Sequence, residues 1–109
     1  MKILNIRHIG IRVDRQWAAT VEYWKMLGCE VVFDGFETWN QQKLHVVKLM
    51  APGGMIIELV NGNWRNHIAV TIDHFDKRQK PTVRPDGCKV LFGMAPDKTR
   101  IEFVEEPEK

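Results

Sequence analysis

His8-Ile9-Gly10-Ile11-Arg12-Val13-Asp14 and His67-Ile68-Ala69-Val70-Thr71-Ile72-Asp73 are two versions of one segment. In each, a histidine opens the stretch, apolar residues alternate behind it, and an aspartate closes it six positions later. Alternation at period two marks a half-buried strand. A second correspondence lies downstream of each copy. Met50-Ala51-Pro52 leads into Ile56-Ile57-Glu58-Leu59-Val60, and Met94-Ala95-Pro96 leads into Arg100-Ile101-Glu102-Phe103-Val104. Proline precedes glutamate by six residues both times. Registered self-similarity of this kind signals a duplicated unit, which divides the chain into one module over 1–62 and a second over 63–109.

The copies differ in length. His8 to Glu58 is 50 residues and His67 to Glu102 is 35, so the second is 15 shorter. Gly28-Cys29-Glu30-Val31-Val32-Phe33 resembles Gly87-Cys88-Lys89-Val90-Leu91-Phe92, which places the loss after that strand. Pro85-Asp86-Gly87 instead reads as a hairpin turn, which places it in a clipped helix. The hairpin is preferred. Strands are then expected near 3–13, 29–34, 44–50 and 55–60, with Asp14 capping a helix that carries Trp17, Ala18, Val21, Tyr23 and Trp24 and stops at Gly28. The second copy is expected to hold strands near 66–72, 82–84, 88–94 and 99–105, with a short helical turn near 74–80. This is an α+β pattern, a βαβββ unit used twice.

Composition narrows the function. The 109 residues suit a single domain. With 44% hydrophobic and 28% charged residues, the chain is neither disordered nor low in complexity. Sixteen basic against fourteen acidic residues, spread along the chain, argue against nucleic acid or a membrane surface as partner. No apolar run approaches the ~18 residues that span a bilayer. Arg7 and His8 interrupt any leader-like segment, so a cytoplasmic location is expected. Cys29 and Cys88, with no CxxC spacing, read as reduced core thiols rather than nucleophiles.

The repeated polar residues are His8, Glu58, His67 and Glu102. A carboxylate among Ile, Leu and Val in a strand is costly to bury unless it is paired or holds a metal. Two imidazoles and two carboxylates at equivalent positions suit a divalent ion such as Ni, Zn, Co, Mn or Fe, with positions left open for chemistry. The plainer alternative is a duplicated scaffold that presents all four to solvent. His45 and His74 lack repeat partners and read as surface residues. Trp17 and Trp24, seven apart, read as helix core, while Trp39 and Trp64 are assigned to loops where they would wall a substrate pocket or a subunit contact.

These segments, with Tyr23-Trp24-Lys25-Met26-Leu27-Gly28 closing the helix, resemble the vicinal oxygen chelate superfamily of glyoxalase I, bleomycin-resistance proteins and extradiol dioxygenases. The likeness runs over nearly the whole chain and is poorest at 73–87. It implies paired βαβββ modules curled into a half-barrel sheet around a metal, the glyoxalase/bleomycin resistance/dioxygenase fold. The ligands it implies are His8, Glu58, His67 and Glu102, a set closest to bacterial-type glyoxalase I and similar to that of methylmalonyl-CoA epimerases. The implied function is a metal-dependent lyase or isomerase that chelates vicinal oxygens of a small substrate and moves a proton through an enediolate. Glu102 is the expected base and Glu58 the next candidate. Arg12 matches a glutathione-contacting arginine, and a homodimer is implied. The chain departs from glyoxalase I in its short second module and in Gly62, where an asparagine of the glutathione set is expected. Alternatives are a non-catalytic small-molecule binding or antibiotic-resistance protein, and an extradiol-type dioxygenase.

Overall fold

The computed structural model describes residues 1–108, and its elements follow the duplicated pattern with one loss. They are β1 (Ile3–Arg12), α1 (Trp17–Met26), β2 (Glu30–Trp39), β3 (Gln42–Met50), β4 (Ile56–Asn61), β5 (His67–Ile72), β6 (Thr82–Val83), β7 (Lys89–Met94) and β8 (Arg100–Glu105). Two compact units are present, one of His8–Asn66 and one of Met1–Arg7 with the described residues from His67 onward.

In the His8–Asn66 unit the strands run in the order β2-β3-β4 and then the later part of β1. β1 and β4 pair in parallel, whereas β2–β3 and β3–β4 are antiparallel. One face is covered by α1. Val47, Leu49, Ile57, Leu59 and Val13 form its buried cluster, and Trp17, Val21 and Trp24 pack onto it at helical spacing. Because successive strand residues alternate, Val46, Lys48, Glu58 and Val60 lie on the opposite face. There Leu44, Val46 and Val60 make a second cluster, with Trp64 against it.

The helix starts differently from expectation. Asp14 does not cap it; its carboxylate accepts from Arg12 Nε at 2.7 Å. Gln16, at φ 54°, occupies the cap position with no side-chain cap bond. The stop is as expected. Gly28 sits at φ 98° and donates to the Lys25 carbonyl at 3.0 Å, a conformation that costs glycine little. β2 and β3 run longer than expected because Asn40 and Gln41, at φ 51° and 65°, make a tight two-residue turn without a glycine.

The other unit repeats the scheme in the order β1-β5-β8-β7-β6, with β5–β8 parallel and β7–β8 and β6–β7 antiparallel. The Pro85-Asp86-Gly87 hairpin is present, closed by Gly87 N–H to the Arg84 carbonyl at 2.9 Å and Arg84 N–H to the Cys88 carbonyl at 2.8 Å. The expected helical turn near 74–80 is absent. A turn built on Asp76 takes its place, with Gln79 N–H bonded to the Asp76 carbonyl at 3.0 Å and Arg78 N–H to its side chain at 2.9 Å. An aspartate that bonds backbone just ahead of it competes with helix formation.

The Met-Ala-Pro turns are the same turn twice. Ala51 N–H bonds the Met55 carbonyl and Gly54 N–H the Ala51 carbonyl, both at 2.8 Å. Ala95 N–H bonds the Thr99 carbonyl at 2.9 Å and Lys98 N–H the Ala95 carbonyl at 2.8 Å. Gly54 is at φ 93° and Lys98, its counterpart, at φ 73°.

Asp73, at the end of β5, fastens the N-terminal strand. Its carboxylate accepts from Lys2 N–H at 2.8 Å and from His74 N–H at 2.7 Å. These bonds, that of Lys2 foremost, hold its carboxyl below the usual range. Asp86 and Asp97 are lowered likewise, chiefly by the backbone N–H groups of Cys88 and Thr99. A carboxyl whose folded pKa is depressed stabilises the fold above its unfolded pKa of about 3.9 and loses that contribution as pH falls through the folded value. Asp73→Asn is therefore expected to lower the urea midpoint at about pH 7, with a smaller gap to wild type at about pH 3. An unchanged gap at the two pH values would overturn this account.

Candidate metal centre

Each module places its glutamate by the same register. In the first, Gly10 is the β1 partner of Glu58, and His8 lies two residues before Gly10. In the second, Ala69 is the β5 partner of Glu102, and His67 lies two residues before Ala69. Two residues is one full period of a strand, so each histidine shares a face with the residue opposite the glutamate. The sequence correspondences are thus positional equivalences in the fold.

In the His8–Asn66 unit, His8 Nε2 is 3.9 Å from Glu58 Oε2. That is too long for a hydrogen bond. It suits two donors that would each lie about 2.1 Å from a common ion, for which the limit is about 4.2 Å. Glu58 is only 8% exposed, so its charge requires company. Lys48, its partner across β3–β4, provides some, with Nζ 4.0 Å from Glu58 Oε2 and 3.5 Å from Glu37 Oε1. The aliphatic stem of Lys48 carries its ammonium to 5.3 Å from the Phe33 ring centre.

In the other unit, His67 and Glu102 are buried, at 4% and 3% exposure. Glu102 Oε2 accepts from Arg84 Nη2 at 3.1 Å. The edge of the His67 ring meets Phe92, centroids 6.2 Å apart, and the Arg100 guanidinium lies over the same phenyl ring at 4.8 Å. Phe92 is the β7 partner of Glu102, the position that Lys48 fills opposite Glu58. Glu58, His67 and Glu102 are buried, at 8%, 4% and 3% exposure, and so differ from the alternative in which all four residues are presented to solvent.

Trp39 is not in a loop but ends β2, and its ring meets Trp64 edge-on at 5.5 Å. Trp64 lies in the connection after β4. Arg12 is engaged by Asp14 and donates from Nη1 to the Trp64 carbonyl at 3.3 Å. Gly62 has φ 142°, and a Cβ there would overlap Leu44 Cδ2, so an asparagine would be strained and would have to displace the leucine side chain. Its neighbour Asn61 is occupied in donating to the Val13 carbonyl at 2.9 Å. His45, read as a surface residue, is half-buried between Trp17 and Phe36, each 4.8 Å away, and bonds Asp34 at 2.8 Å. Both cysteines are free thiols, and burial pushes the Cys88 thiol up, away from nucleophilic use.

Sequence analysis missed Lys48, Glu37 and Arg84. None has a counterpart in the other copy. Lys48 was legible only through its register opposite Glu58, which requires the length of β3.

No family model matches the sequence, and no curated protein sequence matches it. Solved structures do match. The Mycobacterium tuberculosis methylmalonyl-CoA epimerase is similar over 97% of this chain and 90% of its own, with 18% identity and a TM-score of 0.66. A hypothetical protein of Bacillus halodurans C-125 is similar over 95% of each chain, with 21% identity and a TM-score of 0.64. A Streptomyces coelicolor methylmalonyl-CoA epimerase variant in complex with 2-nitronate-propionyl-CoA is similar over 96% of each chain, with 19% identity and a TM-score of 0.62. The chain has the glyoxalase/bleomycin resistance/dioxygenase fold. It is the fold of the vicinal oxygen chelate superfamily, as the sequence resemblance implied. Among the described residues, no helix is long and apolar enough to cross a membrane.

Proposed function

We propose that this protein is a divalent-metal-dependent isomerase or lyase that moves a proton on a carbon beside a carbonyl, in the manner of an epimerase or glyoxalase I. The observation that carries the reading is the shared register, which sets a buried glutamate and a histidine at matching positions in both modules. His8 and Glu58 of the first module, with His67 and Glu102 of the second, are the residues that would hold an ion of the Ni, Zn, Co, Mn or Fe class. Such an ion supplies a Lewis acid that polarises substrate oxygens. Glu102 would take the proton, its charge balanced by Arg84. Glu58 is the second candidate for that role. Trp39 and Trp64 would wall the apolar part of the substrate, and Arg12 has N–H donors left for its polar end.

One observation favours a second reading. Lys48 and Arg84 give each glutamate a cation of its own, as a non-catalytic binding protein without an ion would need. Elemental mass spectrometry on untagged protein, wild type against the His8→Ala/His67→Ala double variant, separates the two. About one divalent ion per site, lost in the double variant and accompanied by solvent-deuterium uptake into hemithioacetal or 2-methyl-branched acyl thioester, is the expected result. No ion after reconstitution would sink the enzyme and leave the binding protein. Sedimentation of the same sample tests the homodimer, which the exposed Ile3, Leu4 and Ile6 of β1 favour.

A further inference from the structure

β2 is the edge strand of the His8–Asn66 sheet, and among the described residues no strand pairs with its far side. Natural edge strands are usually kept short or carry proline or lysine, because their outward N–H and C=O groups invite another strand. In the other unit the edge is guarded in this way: β6 has two residues, between Pro81 and Pro85. β2 has ten residues, contains neither proline nor lysine, and exposes Val32, Phe33, Phe36 and Trp39.

Its regular run is Phe33-Asp34-Gly35-Phe36-Glu37-Thr38-Trp39. The register shift between Val31 and Phe33 bounds the run on one side, and the Asn40-Gln41 turn bounds it on the other. Aromatic residues stand first, middle and last, so the run has the same aromatic spacing in both directions. An antiparallel pairing about a twofold axis requires a surface that is complementary to itself in this sense. We propose that β2 is a self-association surface, on which the run pairs antiparallel with that of a second copy about an axis through Phe36. The proposal rests on the homodimer of the reading above, gives it a surface, and does not depend on the metal.

The register follows from the side chains. Phe36 meets the partner's Phe36, Phe33 meets the partner's Trp39, Asp34 meets the partner's Thr38, and Glu37 meets the partner's Gly35. Opposed aromatic residues stabilise a sheet and opposed like charges destabilise it. This register makes three aromatic pairs and opposes no two carboxylates. An axis through Asp34 or Glu37 would set that carboxylate against its own copy, and one through Gly35 would set both phenylalanines against carboxylates. Each acid is already held within its own chain, Asp34 by His45 at 2.8 Å and Glu37 by Lys48 at 3.5 Å. Phe36 is held for the contact by the His45 ring at 4.8 Å and the Lys43 ammonium at 4.5 Å, yet is 59% exposed. Such preorganisation lowers the cost of association.

The pairing also reaches the site. Phe33, Glu37 and Trp39 share the face of Lys48 and Glu58. The partner's Trp39 would then lie beside the Phe33 ring that backs Lys48. A second copy thus adds an aromatic side chain at the rim of the face that carries Glu58.

Sedimentation over a range of protein concentrations and oxidative cross-linking test the surface, with thermal melting of every variant. Wild type is expected to dimerise. Phe36→Lys, which opposes two lysines at the axis, is expected to raise the dissociation constant about tenfold or more, and Leu4→Lys on β1 to leave it unchanged. Phe36→Cys is expected to form an intermolecular disulfide as oxidised glutathione is reduced, because opposed Cα atoms lie about 4.5–5.5 Å apart, within disulfide reach. Thr38→Cys is not, because its two copies would stand about 13 Å apart along the strands. Wild type treated alike gives the background from Cys29 and Cys88. If Phe36→Lys does not fold, the two cysteine variants decide. Wild type that stays monomeric overturns the proposal, and so does equal cross-linking of Thr38→Cys and Phe36→Cys. A dimer broken by Leu4→Lys and not by Phe36→Lys keeps the homodimer and overturns this surface. Failure to bind an ion removes the metal reading and leaves each of these results decisive.

Discussion

Glu102→Gln is expected to lower kcat by about 10²–10⁴-fold, the usual contribution of a positioned general base, while the protein stays folded and keeps most of its metal. Glutamine has the shape of glutamate and still offers a carbonyl oxygen to Arg84, which donates to Glu102 Oε2 at 3.1 Å. What it lacks is the ability to take a proton at neutral pH. Removing one partner of a buried ion pair can cost several kcal/mol, but Arg84 is about one-third exposed and water can solvate it. The structural cost is therefore expected to be about 1.5–3 kcal/mol, near that of one hydrogen bond to a charged group. Turnover, solvent-deuterium exchange and a urea melt on the same preparation separate the two effects. Loss of turnover with stability and metal content both retained assigns Glu102 the proton. Wild-type turnover in the variant would remove it from the chemistry and pass the role to Glu58. Glu58→Gln should behave differently, losing metal, since Glu58 lies against His8.

Leu59→Ala is the substitution expected to cost most stability, about 2–5 kcal/mol by the usual range for a buried leucine. Leu59 is fully buried and lies in the cluster of Val13, Val47, Leu49 and Ile57 beneath Trp17, Val21 and Trp24 of α1. With net stabilities of small domains at about 5–15 kcal/mol, that is a large part of the whole. The position also matters to the site. Leu59 follows Glu58 on the same strand and faces the other way, so the leucine seats β4 on the helix side while the glutamate meets Lys48 on the other. Urea denaturation measures the cost, and a change below about 1 kcal/mol would mean that α1 collapses onto the space left behind. Reduced metal affinity in the folded variant would show that the strand's seating also positions Glu58.

Much of this was legible from repetition. The histidines, the glutamates and the Met-Ala-Pro turns come from two copies of one unit, and a copy that preserves spacing preserves strand register. Local chemistry misled where non-local packing overrode it. Asp14 has the side chain of a helix cap but is taken by Arg12. Asn40 and Gln41 turn a hairpin without glycine, so β2 and β3 looked shorter than they are. The missing helix turn near 74–80 follows from the bonds of Asp76 to its own neighbours, which a propensity argument does not weigh. Lys48 and Arg84 carry no motif. Their meaning depends on what lies across the sheet, at 10 and 18 positions along the chain.

The turn between β3 and β4 has a consequence for how this chain can change. Ala51 and Met55 close it with a fixed number of residues between Met50 and Ile56, which are partners across the two strands. Adding one residue there would slide β4 by half a strand period and present Ile57 where Glu58 now stands, with the carboxylate turned into the helix-covered core. Adding two would restore the facing. Heritable length variation at this corner is therefore restricted to even steps, and the same arithmetic governs the corner between Ala95 and Thr99. A single-codon insertion at either would turn the glutamate-bearing face of that strand apolar without substituting any residue.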